Sequence, residues 1–182
     1  MSKVKRRKKL PAIHCNGGNR AQAKVDRTAL QGGCAAAIEN HPEGVLMCAS
    51  GCVGFGDCVN SCRLKAIHMG EHGVPEVMRE KCVGCGLCAK TCPQHIIEMQ
   101  PEELCIVVRC SNKDGAKTAK EICELSCIAC RICEKNCPVA AIQVIDNIAI
   151  IDPNICVACG MCAVKCPRGA ILDEDGIFTV AR

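Results

Sequence analysis

The sequence predicts an α+β chain of two tandem cysteine-rich modules, each preceded by a small strand–turn–helix lead-in. Three observations carry that expectation. Cysteine occupies 21 of 182 positions, enough to make it the organising residue of the chain. Three stretches repeat one cysteine spacing. Each is followed by a short apolar pulse of the length of a small strand: Ile96-Ile97, Ala141-Ile142 and Ala170-Ile171.

The first stretch is Cys82-Val-Gly-Cys85-Gly-Leu-Cys88-Ala-Lys-Thr-Cys92-Pro93. The second runs from Cys127 through Cys130 and Cys133 to Cys137-Pro138, the third from Cys156 through Cys159 and Cys162 to Cys166-Pro167. All read C-x2-C-x2-C-x3-C-P, the bacterial ferredoxin run for [4Fe–4S] clusters. Two-residue gaps let a tight loop wrap one cubane with three sulfurs, and the fourth cysteine ligates the partner cluster. That fourth cysteine is expected to open a helix, with proline in its first turn. A fourth stretch is irregular: Cys48-Ala-Ser-Gly-Cys52-Val-Gly-Phe-Gly-Asp-Cys58-Val-Asn-Ser-Cys62. Aligned on the second run, Cys52 matches Cys127, Cys58 matches Cys133 and Cys48 matches Cys123. The counterpart of Cys130 is missing.

Runs come in pairs, separated by strand-like Val74–Met78 and Ile148–Ile151. A pair reads as loop, helix, strand, strand, loop, helix, strand, the small two-cluster ferredoxin. The expected organisation is a basic tail over 1–10, a lead-in over 11–43, a ferredoxin module over 44–100, a second lead-in over 101–122 and a second module over 123–182. The expected ligand sets are Cys82, Cys85, Cys88 and Cys62; Cys52, Cys58, Cys92 and Cys48; Cys127, Cys130, Cys133 and Cys166; and Cys156, Cys159, Cys162 and Cys137. In the second set Cys48 is the nearest replacement for the missing ligand.

Five cysteines are left outside these sets: Cys15, Cys34, Cys105, Cys110 and Cys123. Pro11-Ala-Ile-His-Cys15-Asn-Gly-Gly resembles Ile106-Val-Val-Arg-Cys110-Ser-Asn-Lys-Asp-Gly, so the chain reads as a tandem duplication, 11–100 and 105–182. Two readings of these cysteines stand open. Cys15, Cys34, Cys110 and Cys123 form a fifth centre, or they are buried thiols acting as small apolar residues. Four [4Fe–4S] clusters are expected, five if that set binds one.

Composition excludes other classes. There is no Trp or Tyr and only two Phe, so neither an aromatic core nor base-stacking platforms are available. Lys3 to Lys9 supply six of the 23 basic residues; the remaining 17 face 19 acidic ones. Bound clusters make that body more acidic, which argues against nucleic acid. Only Leu10–Ile13 follows the basic start, too short for a signal peptide. No apolar run reaches the roughly 18–20 residues of a membrane helix. A reducing, cytoplasmic setting is expected, where many cysteines mean metal rather than disulfides. No dinucleotide fingerprint is present, since Gly54-Phe-Gly56 lacks its third glycine. No catalytic site or small-molecule substrate is therefore expected. Structural zinc is the weaker alternative, because zinc knuckles pair two C-x2–4-C units and have no use for a third cysteine and Cys-Pro. His14, His41, His68, His72 and His95 lie outside the runs and read as surface or supporting residues, with His14 and His95 placed to tune a cluster.

With these residues in view, the sequence resembles the B subunit of Rnf-type ferredoxin:NAD oxidoreductases, in its long, cluster-rich form. The resemblance lies in Cys15-Asn-Gly-Gly, in the irregular Cys48–Cys62 run and in Val108-Arg-Cys110-Ser-Asn-Lys-Asp-Gly-Ala followed by Cys123-x3-Cys127-Ile-Ala-Cys130. It implies a polyferredoxin that takes electrons from reduced ferredoxin and passes them along its clusters into a multi-subunit oxidoreductase complex, held at the cytoplasmic face of the membrane through partners. Oxygen-labile clusters fit an anaerobe. The chain opens on Lys3–Lys9 where the family carries a membrane helix and a four-cysteine domain. That basic run reads as a solvated tail or as a docking arm for an acidic donor or anionic lipid. A freely diffusing polyferredoxin is the alternative function.

Overall fold

A computed structural model describes residues 8–177. Most of the expected basic run, Lys3 to Arg7, lies outside the described residues. Four two-stranded antiparallel sheets organise the described chain. In the first half β1 (Lys9–Ile13) pairs with β4 (Ile97–Pro101), and β2 (Ile67–Met69) pairs with β3 (Pro75–Val77). In the second half β5 (Ile106–Val108) pairs with β8 (Ile171–Asp173), and β6 (Ile142–Ile145) pairs with β7 (Ile148–Ile151). The α-helices are short: α1 (Gly33–Asn40), α2 (Asp57–Asn60), α3 (Leu87–Thr91), α4 (Ala116–Ile122), α5 (Ile132–Lys135) and α6 (Met161–Lys165).

The lead-in strands pair with the modules they precede. Ile13 lies opposite Ile97 and Val108 opposite Ile171, so each lead-in strand sits against its module's last strand. Because β1 starts at Lys9 and Leu10 is buried, the final residues of the stretch expected as a tail belong to the sheet.

Each half has an apolar core with cysteines inside it. Ile13, Ile67, Val74, Ile96 and Ile97 pack with Cys15, Cys52, Cys58 and Cys92. Ile106, Val108, Ile142, Val144, Ile148 and Ile171 pack with Cys105, Cys110, Cys133 and Cys162. Burying each of these aliphatic side chains contributes about 1.5–3 kcal/mol. Among the described residues, no aromatic side chain belongs to either cluster. The β-branched residues that suit the strands also supply the packing.

The helices of the runs depart from expectation: they precede the fourth cysteine instead of following it. α3 ends at Thr91 and Cys92 is extended (φ −70°, ψ 112°); α6 ends at Lys165 with Cys166 at φ −70°, ψ 113°. The proline explains this, since its ring disfavours helical backbone in the residue before it. The Cys-Pro pair is a helix stop. A left-handed residue opens each of these helices: Gly56, Gly86, Arg131 and Gly160. Three residues after the fourth cysteine, Lys65, His95, Ala140 and Gly169 all take positive φ. Each donates its N–H to the carbonyl of that cysteine.

Main-chain contacts join the halves. Gln22 N–H donates to the Ile122 carbonyl, and Glu124 N–H to that of Arg20. Ala21 and Cys123 form an antiparallel bridge. Ser111 Oγ donates to the His14 carbonyl at 2.8 Å, and His14 Nδ1 lies 2.8 Å from the Val108 carbonyl.

Candidate metal centres

Three of the expected cysteine sets are brought together as quartets. Cys62, Cys82, Cys85 and Cys88 line one small cavity with Pro11 and Met99. Cys137, Cys156, Cys159 and Cys162 line another with Ile106 and Ile142. The Cys133 thiol lies within electrostatic reach of Cys127, Cys166 and Cys130.

The irregular set is different. Cys34, not Cys48, shares a cavity with Cys52, Cys58 and Cys92. Cys58 lies near both Cys92 and Cys34, and Cys52 near Cys34 and Cys58. The local cause is a helix cap supplied from a distance. α1 follows left-handed Gly32, and no side chain at that position caps it. The Asp57 carboxylate fills the role: Cys34 N–H reaches both its oxygens at 3.0 Å, and Ala35 N–H reaches Oδ2 at 3.3 Å. A carboxylate at a helix N-terminus satisfies orphan donors and complements the dipole. Since Asp57 immediately precedes Cys58, the cap holds Cys34 against the cysteine loop.

Cys48 goes elsewhere. Its segment runs beside the lead-in, with Lys24 N–H donating to the Val45 carbonyl and Met47 N–H to that of Gln22. This carries Cys48 to the seam between the halves, where it packs with Ile122 and Cys123. Its thiol neighbours are Cys15, Cys110 and Cys123. The sets expected from the sequence are thus corrected by one exchange. Cys48 takes a seam position, and Cys34 takes its place in the first module.

The repeat held the signal for that exchange. Thirty-three positions separate Cys15 from Cys48, whereas thirteen separate Cys110 from Cys123. The extra segment in the first half carries Cys34, and the first half is also the one without a counterpart of Cys130. One insertion thus brings a cysteine beside the run that lacks one.

Sulfur separation tests which metal these quartets fit. A tetrahedral zinc with Zn–S bonds of ~2.3 Å needs its sulfurs about 3.8 Å apart. Among the described residues, no three of these thiols lie within 4.8 Å of one another; the one trio so placed is Cys105, Asp173 and Asp175. None of the quartets is drawn in to single-ion spacing, and the C-x2-C-x2-C-x3-C runs that supply them carry the spacing of a polynuclear cluster. Their amides fit as well. Ala66 N–H points to Cys62 Sγ at 3.3 Å, Ala141 N–H to Cys137 Sγ at 3.2 Å and Ala158 N–H to Cys156 Sγ at 3.4 Å. Backbone donors aimed at sulfur favour thiolate and tune a cluster's potential.

In the metal-free chain burial opposes ionisation. It pushes the Cys58 and Cys162 thiols up to about 12 and Cys133 up to about 11. Binding metal must therefore release protons from these groups. Cys105 has a separate role: it hydrogen-bonds the buried Asp173 carboxylate, and burial and that carboxylate together push its thiol up to about 11. The histidines stay outside the quartets. His14 meets the Val108 carbonyl across the seam through Nδ1 and lies 3.3 Å from Glu98 of its own half through Nε2, and His95 occupies the left-handed turn after Cys92. Cys85, Cys130 and Cys159 are exposed. No helix among the described residues is long and apolar enough to cross a membrane.

Comparison with known proteins agrees with this chemistry. The family model of the 4Fe-4S binding domain matches residues 75–98 and 149–172. The B subunit of a Na(+)-translocating ferredoxin:NAD(+) oxidoreductase complex from Acetobacterium woodii is 47% identical over 105 residues, covering 58% of this chain and 32% of the relative. The B subunit of an ion-translocating oxidoreductase complex from Methanosarcina acetivorans is 36% identical over 151 residues, covering 80% and 54%. The B subunit of a proton-translocating ferredoxin:NAD(+) oxidoreductase complex from Clostridium ljungdahlii is 39% identical over 112 residues, covering 62% and 39%. The chain spans between a third and about half of the length of these curated relatives. Its cysteine runs, its paired strands and these relatives converge: the chain carries 4Fe-4S binding domains of ferredoxin type and is similar to the B subunit of Rnf-type ferredoxin:NAD oxidoreductases.

Proposed function

We propose that this chain conducts electrons through a row of [4Fe–4S] clusters between a low-potential donor, reduced ferredoxin, and the other subunits of an Rnf-like complex. The ligand sets are Cys62, Cys82, Cys85 and Cys88; Cys34, Cys52, Cys58 and Cys92; Cys127, Cys130, Cys133 and Cys166; and Cys137, Cys156, Cys159 and Cys162. Bound clusters supply reversible one-electron chemistry; the chain supplies thiolates, amide donors and burial.

One observation carries the reading: neighbouring quartets adjoin. Cys58 lies near Cys88 of the first quartet, and Cys133 lies near Cys162 of the last. Exposed Cys85, Cys130 and Cys159 belong to three of the quartets, Cys85 and Cys159 close in sequence to exposed Val83 and Val157. A partner docking there meets a cluster ligand directly, as an electron relay requires. A carrier serving one donor and one acceptor has no need of such a row, which favours a complex subunit over a free polyferredoxin.

The test is anaerobic purification with metal and sulfide analysis, followed by reduction with dithionite-reduced ferredoxin. Roughly 16 or more iron atoms per chain, matched by acid-labile sulfide, are expected. Zinc without sulfide would overturn the reading. Recovery as a stable monomer from a host expressing the partner subunits would favour the free carrier.

A further inference from the structure

We infer that the seam between the two halves holds a fifth [4Fe–4S] cluster, ligated by Cys15, Cys48, Cys110 and Cys123, and that this cluster links the two ferredoxin modules. The inference rests on the cluster-bearing reading above and extends it to a site that neither module contains alone.

The four thiols converge from both repeats. Cys48 neighbours Cys15, Cys110 and Cys123; Cys110 neighbours Cys15; and Cys123 neighbours Cys15. All four are between 7% and 9% exposed. Their arrangement is two-fold in pattern. Cys15 Sγ accepts from Cys52 N–H at 3.3 Å, and Cys110 Sγ accepts from Cys127 N–H, also at 3.3 Å. Cys48 and Cys123 are the paired second contributions, each four residues before those donors. Each repeat gives two ligands, so the site is complete only in the duplicated chain.

The surroundings are built for thiolate. Two of the four sulfurs accept a backbone N–H at 3.3 Å, Cys15 from Cys52 and Cys110 from Cys127, and the Ser50, Asn112 and Leu125 amides lie where they favour the thiolates of Cys48, Cys110 and Cys123. The donor two residues on is the pattern that Cys156 shows with Ala158 inside a regular run. Thiols serving only as small apolar residues need no such donors. Arg20 and Arg168 lie within electrostatic reach of Cys123, cations placed beside a set of four sulfurs. Gly17 keeps room: a Cβ there would stand 3.2 Å from Cys123 Sγ and 3.9 Å from Cys15 Sγ. As in the other quartets, no three of these thiols lie within 4.8 Å of one another.

The seam quartet occupies the missing place in the row. Cys52 of the second quartet neighbours Cys15, and Cys127 of the third donates to Cys110. With a cluster at the seam, five clusters form one sequence from Cys85 to Cys159. Cys105 is the single cysteine left without a cluster.

The experiment counts iron and sulfide in the anaerobically purified, full-length chain, and records its Mössbauer and EPR spectra after reduction. Wild type is expected to hold roughly 20 iron and 20 sulfide. The Cys48→Ala/Cys123→Ala double variant is expected to hold roughly 16, as is the control Cys130→Ala/Cys133→Ala, which removes a regular cluster. Fully reduced wild type shows magnetic coupling between neighbouring clusters, and the seam variant loses part of it. A wild-type count of roughly 16 that the seam substitutions leave unchanged, while the control drops to roughly 12, overturns the fifth cluster and leaves the ferredoxin modules standing. Zinc without sulfide overturns both. The wild-type count decides the question even where a variant fails to fold.

Discussion

Removing the Asp57 carboxylate tests how one irregular cluster site is held together. In Asp57→Ala the Cys34 and Ala35 amides, now 3.0 to 3.3 Å from carboxylate oxygens, lose their acceptor. Gly32, at the N-cap position, offers no replacement side chain. Loss of an N-cap costs about 0.5–2 kcal/mol, and loss of a negative charge at the helix start about 0.3–1 kcal/mol more. Together these weaken the docking of α1 by about 1–3 kcal/mol, so the undocked population rises roughly 5- to 150-fold. Cys34 rides on that helix. Iron release to a chelator should accelerate by the same factor for one cluster in the chain and stay unchanged for the rest. Hydrogen exchange over 33–40 should speed up in parallel, and Asp57→Asn, which keeps one oxygen, should fall between. If exchange over 33–40 accelerates while every cluster keeps its iron at the wild-type rate, Cys34 is not a ligand and the exchange of Cys34 for Cys48 is wrong.

Three further outcomes follow from the same geometry. Gly84→Ala drives a Cβ into the Lys9 carbonyl oxygen at φ +74°; the left-handed cost of about 1–2 kcal/mol adds to displacement of β1, and thermal denaturation should show a loss of at least that size, where an unchanged Tm would refute the close approach. In the cluster-free chain, burial holds Cys48, Cys58 and Cys162 up at about 12 and Cys110 and Cys133 at about 11. The unfolded chain releases those protons first, so that stability is whole below about pH 8.5 and is lost as pH rises toward about 11–12; denaturant titrations at about pH 8 and about pH 10.5 measure it, and a flat profile would contradict the buried thiols. Arg168→Gln removes a cation near Cys123. A unit charge at ~8 Å and an effective dielectric near 20 is worth about 2 kcal/mol, and partial exposure reduces this to about 1 kcal/mol, so one cluster's potential should fall by about 40 mV in an EPR-monitored titration.

Much of this fold was legible because cysteine spacing and short apolar pulses are local signals. The strand over Ile148–Ile151 and the positions of the regular runs could be read from neighbouring residues alone. Three features needed more. The helices end at Cys92 and Cys166 because the restriction by proline on its preceding residue outweighs proline's preference for a first turn. The pairing of β1 with β4 joins segments more than eighty residues apart, and nothing in Lys9–Ile13 names its partner. The choice between Cys34 and Cys48 turned on Asp57, whose carboxylate reads locally as an ordinary acidic residue at the start of α2. Its long-range cap is visible only once the chain is folded.

Duplication accounts for the seam in a way that neither half does. A lead-in strand buries one edge of its own module, which leaves Cys15 and Cys48, or Cys110 and Cys123, as half of a ligand set. In isolation each half therefore holds two thiols of an incomplete site. Joining two copies through the Ala21–Cys123 bridge and the Gln22 and Glu124 amides closes the two halves on each other. Charge then becomes the constraint. A [4Fe–4S] centre on four thiolates carries net negative charge, and at the seam it has negative neighbours on both sides. Arg20 and Arg168 stand near Cys123, and buried Arg109 reaches across to the Pro75 carbonyl at 3.2 Å while keeping Glu174 within 3.4 Å. Buried Arg109 already faces Glu174, and half-buried Arg20 and Arg168 add positive charge within reach of Cys123. Their concentration at this seam is the electrostatic counterpart of a cluster there.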